Sequence, residues 1–129
     1  METEAAPAFF LAACDGDAET VSKMLSTAGA QSLTNYQNAL RDTPQIFAAG
    51  KGHVSVTTML IETRCNVDLH DKEGFTPLYI AAQEGHTAST KELIEARCNV
   101  DPQQPCGATP LFIAAQKGRA TVTHLLISL

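Results

Sequence analysis

The sequence predicts an all-α solenoid built from four helix-pair repeats, and three observations predict it. A block headed by Thr-Pro occurs three times at an offset of 33 residues, as Thr43–His53, Thr76–His86 and Thr109–Arg119. A second block, Leu60–Asp68, returns 33 residues on as Leu93–Asp101 with eight of nine positions identical. Each Thr-Pro block carries a glycine near its end, Gly52, Gly85 or Gly118, where one helix must stop and the chain must turn into the next.

In chain order, repeats are expected at about 5–37, 38–70, 71–103 and 104–129, within a single domain covering 1–129. The first is the least regular. Its stretch Phe9–Asp17 matches the template 36 residues ahead of its counterpart, so its exit is longer. In the later repeats the threonine hydroxyl is placed to cap orphan N–H groups, and the proline stands where its missing donor costs nothing. The first helix is short and alanine-rich, as at Ala81-Ala82, leaving a thin face for close stacking. The second helix carries the apolar stripe, at Val56, Met59, Leu60 and Ile61 in repeat two and at Leu93 and Ile94 in repeat three. Ser89 and Thr90 weaken that stripe in repeat three. After it, Asn66-Val67-Asp68, Asn99-Val100-Asp101 and Asp71-Lys72-Glu73-Gly74 read as turns of a projecting loop. No repeat can bury such a face alone, so neighbours must supply the core.

These residues resemble the ankyrin repeat, whose signature is Thr-Pro-Leu-His-x-Ala at a period of 33, over roughly residues 7 to 129. The resemblance implies an ankyrin-repeat solenoid of stacked antiparallel helix pairs with β-hairpin loops projecting at right angles. The sequence departs from the pattern in four ways. Ile46, Tyr79 and Phe112 replace the motif histidine, and Gln45 stands where repeats three and four have Leu78 and Leu111. A buried amide there needs a partner. Arg64 and Arg97 stand where the family usually closes the second helix with glycine, and Arg41 stands at the position of Gly74 and Gly107. With positive φ each carries strain of about 1 kcal/mol. The sequence stops at Leu129, inside the second helix of repeat four. That suggests a longer array, or a last helix covered by another copy of the chain.

Composition narrows the function. The 129 residues are 44% apolar and 18% charged, with net charge -5 and scattered cations, so a folded domain is expected and nucleic acid is not a partner. No apolar run approaches the roughly 20 residues of a membrane span. The first residues carry Glu2 and Glu4 and no secretory signal, so an intracellular, cytoplasmic protein is expected. Its four cysteines read as free thiols. There is no phosphate loop, Cys-x-x-Cys pair or nucleophile beside a base, so neither catalysis, a cofactor nor a metal is expected. His53 and His86 occupy one position of successive repeats, about 10 Å apart and too far to share an ion. They read as structural or solvated, as do His70 and His124. Cys65 and Cys98 are separated in the same way, beyond disulfide reach.

What remains is a protein-interaction module, with a structural spacer in a longer array as the alternative. In ankyrin proteins the partner usually lies in a concave groove between loop tips and first helices, and the resemblance carries those positions over residue by residue. Repeat two supplies Ala39, Leu40 and Asp42 with Gly50 and Lys51. Repeat three supplies Lys72, Glu73 and Phe75 with Gln83 and Glu84. Repeat four supplies Pro105, Cys106 and Ala108 with Gln116 and Lys117. Phe75 is the expected hot spot, worth about 2 kcal/mol, unless it packs against the neighbouring loop. Cys106, on the expected fingertip beside Gly107, reads as structurally indifferent, with an exposed, oxidisable thiol as the alternative. The uncapped last repeat is also a route to self-association.

Overall fold

A computed structural model describes residues 2–26, 30–102 and 107–129, with the side chains of all but 2–4, 30 and 31. Its elements are α1 (Glu2–Cys14), α2 (Ala18–Leu25), α3 (Ala30–Thr34), α4 (Pro44–Gly50), α5 (Val54–Glu62), α6 (Pro77–Glu84), α7 (Thr87–Glu95), α8 (Pro110–Gln116) and α9 (Ala120–Ile127). The Thr-Pro pairs begin α4, α6 and α8 as the sequence requires. The Thr43, Thr76 and Thr109 hydroxyls accept from the N–H groups of Ile46, Tyr79 and Phe112 at 3.1, 3.2 and 3.2 Å.

The first helices α1, α4, α6 and α8 stack in sequence order, and α2, α5, α7 and α9 form a second row. Because α4, α6 and α8 present Ala48-Ala49, Ala81-Ala82 and Ala114-Ala115, the first row can pack closely. At its tightest point Gly50 faces Ile80, where an added Cβ would come 2.6 Å from Cγ2. Three buried clusters join successive repeats. Phe9, Val21, Val56 and Leu60 bridge repeats one and two; Ala49, Leu78 and Leu93 bridge two and three; Tyr79, Ala82, Val122 and Leu126 bridge three and four. The core is therefore continuous only through stacking.

Two features of repeat one were not anticipated: α1 is longer than the other first helices, and its extended exit holds the extra helix α3, which packs on α1 and α2. Buried polar side chains interrupt the core of repeats two and three. Gln45, Thr57, Ser89 and Thr90 are all sealed from solvent. The Gln45 Nε2 donates to the Thr57 carbonyl at 3.3 Å and the Thr90 hydroxyl to the His86 carbonyl at 2.8 Å. Gln45 Oε1, Thr57 Oγ1 and Ser89 Oγ find no hydrogen-bond partner. All three arginines at glycine positions are left-handed, with φ of 63° at Arg41, 62° at Arg64 and 63° at Arg97.

Candidate functional site

The loop tips are built by a side chain that folds back on its own backbone. Asn38 Oδ1 accepts from the N–H groups of Leu40 and Asp42 at 3.0 and 2.9 Å. Asp71, its counterpart 33 residues on, accepts from Glu73 and Phe75 at 2.9 Å each. The turns close through Arg41 N–H to the Asn38 carbonyl and Gly74 N–H to the Asp71 carbonyl, and in both tips the first residue reaches across, Asn38 N–H to the Asp42 carbonyl and Asp71 N–H to the Phe75 carbonyl. The result is hairpin-like, without strands among the described residues. Arg41 adopts the same left-handed geometry as Gly74 and Gly107, so its substitution leaves the tip's shape intact at the cost of strain. Neighbouring tips are tied together. Lys72 N–H donates to the Leu40 carbonyl at 3.1 Å, and Gln37 Nε2 donates to the carbonyls of Arg41 and His70.

Position within the tip decides what a side chain can offer. Leu40 and its counterpart Glu73 point outward, and Leu40 is 59% exposed. Asp42 and its counterpart Phe75 turn toward the helices. Asp42 is only 8% exposed, and burial, followed by the nearby Asp71 charge, holds its carboxyl above the usual range. Phe75 is half-buried with its ring 5.0 Å from that of Tyr79, tilted 47°. Ala39 and Lys72 are exposed, and Ala108 is half-buried in the cluster around Tyr79. Pro105 and Cys106 lie outside the described residues.

On the first helices Glu84, Gln116 and Lys117 are exposed and Gln83 is half-buried. Lys51 is exposed but committed: its Nζ sits 5.6 Å from the Phe47 ring centroid and donates to the Cys14 carbonyl at 3.2 Å. Gly50 is buried. The surface thus combines one bare leucine, a mixed row of Lys72, Glu73, Glu84 and Lys117, and a half-buried aromatic at its inner edge.

The thiols are not part of this surface. Cys14, Cys65 and Cys98 are buried and free, and burial raises all three, Cys65 to about 11 and Cys98 to about 12. Such groups remain protonated and unreactive near neutral pH. Among the described residues no cluster of His, Cys, Asp or Glu could hold a metal ion, and no helix is long and apolar enough to cross a membrane.

The histidines flanking the turn glycines have a role that the sequence left undefined. The His53 ring lies over Gly16 of the preceding repeat, and its Nε2 is 3.1 Å from the Cys14 carbonyl. His86 covers Gly52 in the same way. Both residues, like Arg119, occupy N-cap positions without capping their helices, because their side chains reach across to the previous repeat.

A family model described as ankyrin repeats, three copies, matches residues 9–104. The chain belongs to the ankyrin-repeat family. The match runs from within α1 to the loop after α7 and takes in the tips of repeats two and three. Comparison with curated proteins gives no match. Ankyrin repeats are generally protein–protein interaction modules and typically not enzymes.

Proposed function

We propose that this ankyrin domain binds a partner protein across its tips and first helices, with Leu40 as the apolar anchor. The observation that carries this reading is an exposed leucine on a loop whose backbone is fixed by Asn38 and tied to the next tip through Lys72. A rigid apolar group surrounded by polar side chains binds with little ordering cost. Lys72 and Glu73 on the next tip supply both signs of charge beside it, and Glu84 and Lys117 extend the charged row along repeats three and four, setting register. Phe75 contributes from beneath, since the Tyr79 contact makes it a support for the tip as much as a contact residue.

Leu40→Asp tests the proposal. The side chain has little packing to lose, so the melting temperature should hold while affinity for a partner recovered from the source cells falls about tenfold or more. Glu62→Lys, on an exposed position of α5, is the control. If affinity follows Glu62 and ignores Leu40, the binding surface is not the one described.

A further inference from the structure

The second helices of the repeats begin in two ways. In repeat one Asp17 is the N-cap of α2, and its carboxylate accepts from both the N–H and the hydroxyl of Thr20, at 3.2 and 2.7 Å. The Thr20 hydroxyl, followed by its N–H, holds the Asp17 carboxyl below the usual range, as donors to an ionised acid do. In the later repeats His53, His86 and Arg119 stand in the place of Asp17, and their side chains make no cap hydrogen bond. The place of Thr20 is taken by Val56, Ser89 and Val122. Among the later repeats, repeat three therefore keeps the hydroxyl and N–H that hold a carboxylate in repeat one, with an imidazole in the place of the acid.

The surroundings of Ser89 suit an anion. Ser89 is 0% exposed, and its Oγ has no hydrogen-bond partner. The N–H groups of the first turn of α7, on Thr87, Ala88 and Ser89, have no carbonyl before them in the helix to bond. At the other second helices the first N–H turns back to the turn glycine, Ala18 to Gly16, Val54 to Gly52 and Ala120 to Gly118, at 2.9 to 3.0 Å. Thr87 makes no such bond to Gly85. A cavity of about 250 Å³ opens at this end of α7, between Gly52 and Val54 of repeat two and Gly85 to Ser89 of repeat three. No acidic side chain is among its walls. Glu84, next to Gly85 in the chain, accepts from Gln83 Nε2 at 3.5 Å. The cationic Arg119 lies against Gly85, its Nε donating to the Gln83 carbonyl at 3.0 Å. The positive end of the helix dipole, the first-turn N–H groups and a buried hydroxyl donor together form an oxyanion receptor.

We propose that the N-terminus of α7 binds a carboxylate, from a small free acid or an acidic side chain of a protein, which Ser89 holds as Thr20 holds Asp17. The N–H and Oγ–H of Ser89 donate to it, and the N–H of Ala88 and the His86 ring border it. This site shares no residue with the surface formed by the tips and first helices, so either can fail without the other.

The test follows the amide proton shifts of Thr87, Ala88 and Ser89 by NMR in the full chain while sodium acetate replaces sodium chloride at constant ionic strength. A second titration uses N-acetyl-aspartate methylamide, a blocked aspartate. The three amides should move along one saturable curve while those of Ser55 and Val56, at the same point of α5, stay in place. Valine is native at the counterparts Val56 and Val122, so Ser89→Val should fold, and Ser89→Thr has the same shape with the hydroxyl restored. The valine variant should bind acetate about tenfold more weakly, and the threonine variant within about twofold of the parent. A shift that does not saturate, one shared by Ser55 and Val56, or equal binding by the two variants overturns the proposal. Tighter binding of the blocked aspartate assigns the carboxylate to a protein side chain, and acetate binding as tightly or more tightly assigns it to a small free acid.

Discussion

Replacing Gln45 with leucine should stabilise the protein, although it removes a hydrogen bond from the core. Gln45 is 1% exposed, and its counterpart in repeat three, Leu78, is equally buried. Its Nε2 makes a long bond, 3.3 Å, to the Thr57 carbonyl and also donates to the Cys65 sulfur, while Oε1 has no partner. An average hydrogen bond contributes about 1 kcal/mol net, and a bond this long belongs at the lower end. An unsatisfied buried acceptor costs about 1–3 kcal/mol. Leucine has nearly the same volume, so it adds apolar contact without leaving a cavity. The expected balance for Gln45→Leu is a gain of about 1 kcal/mol, read as a higher urea midpoint with an unchanged slope. A second readout is chemical. Hydrogen bonding from Gln45 partly offsets the burial that lifts Cys65 to about 11, so in the leucine variant this thiol should rise further and alkylate more slowly. A variant less stable than the parent by about 1 kcal/mol would refute the reasoning, because it would mean that the amide's bonds outweigh its unpaired carbonyl.

Two further predictions concern backbone and charge. Arg97 is exposed at φ 63°, so Arg97→Gly should relieve about 1 kcal/mol of strain and give back part of it as unfolded-state entropy, for a net gain of about 0.5 kcal/mol in the same denaturation assay. For Asp42, the raised folded pKa means that the native state holds its proton more tightly than the unfolded chain. Its relative stability is therefore full below the ordinary aspartate range and is lost as pH rises through the raised value. Asp42→Asn should accordingly gain on the parent as pH increases from acid toward neutrality and then level off. A stability difference independent of pH would show that the carboxyl is not perturbed.

The candidate site was legible as a set of positions but not as a ranking. Phe75 stood out by residue type, yet its place in the tip matches that of Asp42, and both turn inward. Leu40 was one of the positions carried over but was not singled out; it shares a place with Glu73 and is exposed, which is why we propose it as the anchor. The 33-residue spacing itself could have shown this, because the exposed Glu73 marks the outward position of the tip.

The sequence alone determined the period, the helix starts and the helix ends, because these depend on neighbours within a few residues. A threonine hydroxyl reaches the N–H three residues on, proline presets one φ, and glycine tolerates the left-handed turn. Only the tertiary structure decided what His53, His86 and Arg119 do, since their partners lie in the preceding repeat, 39 residues back for His53 and 36 for Arg119. The extra helix α3, packed within repeat one on α1 and α2, was not legible either. The covering contacts depend on which surfaces meet when one repeat stacks on the next, and a local pattern of residue types carries no record of that meeting.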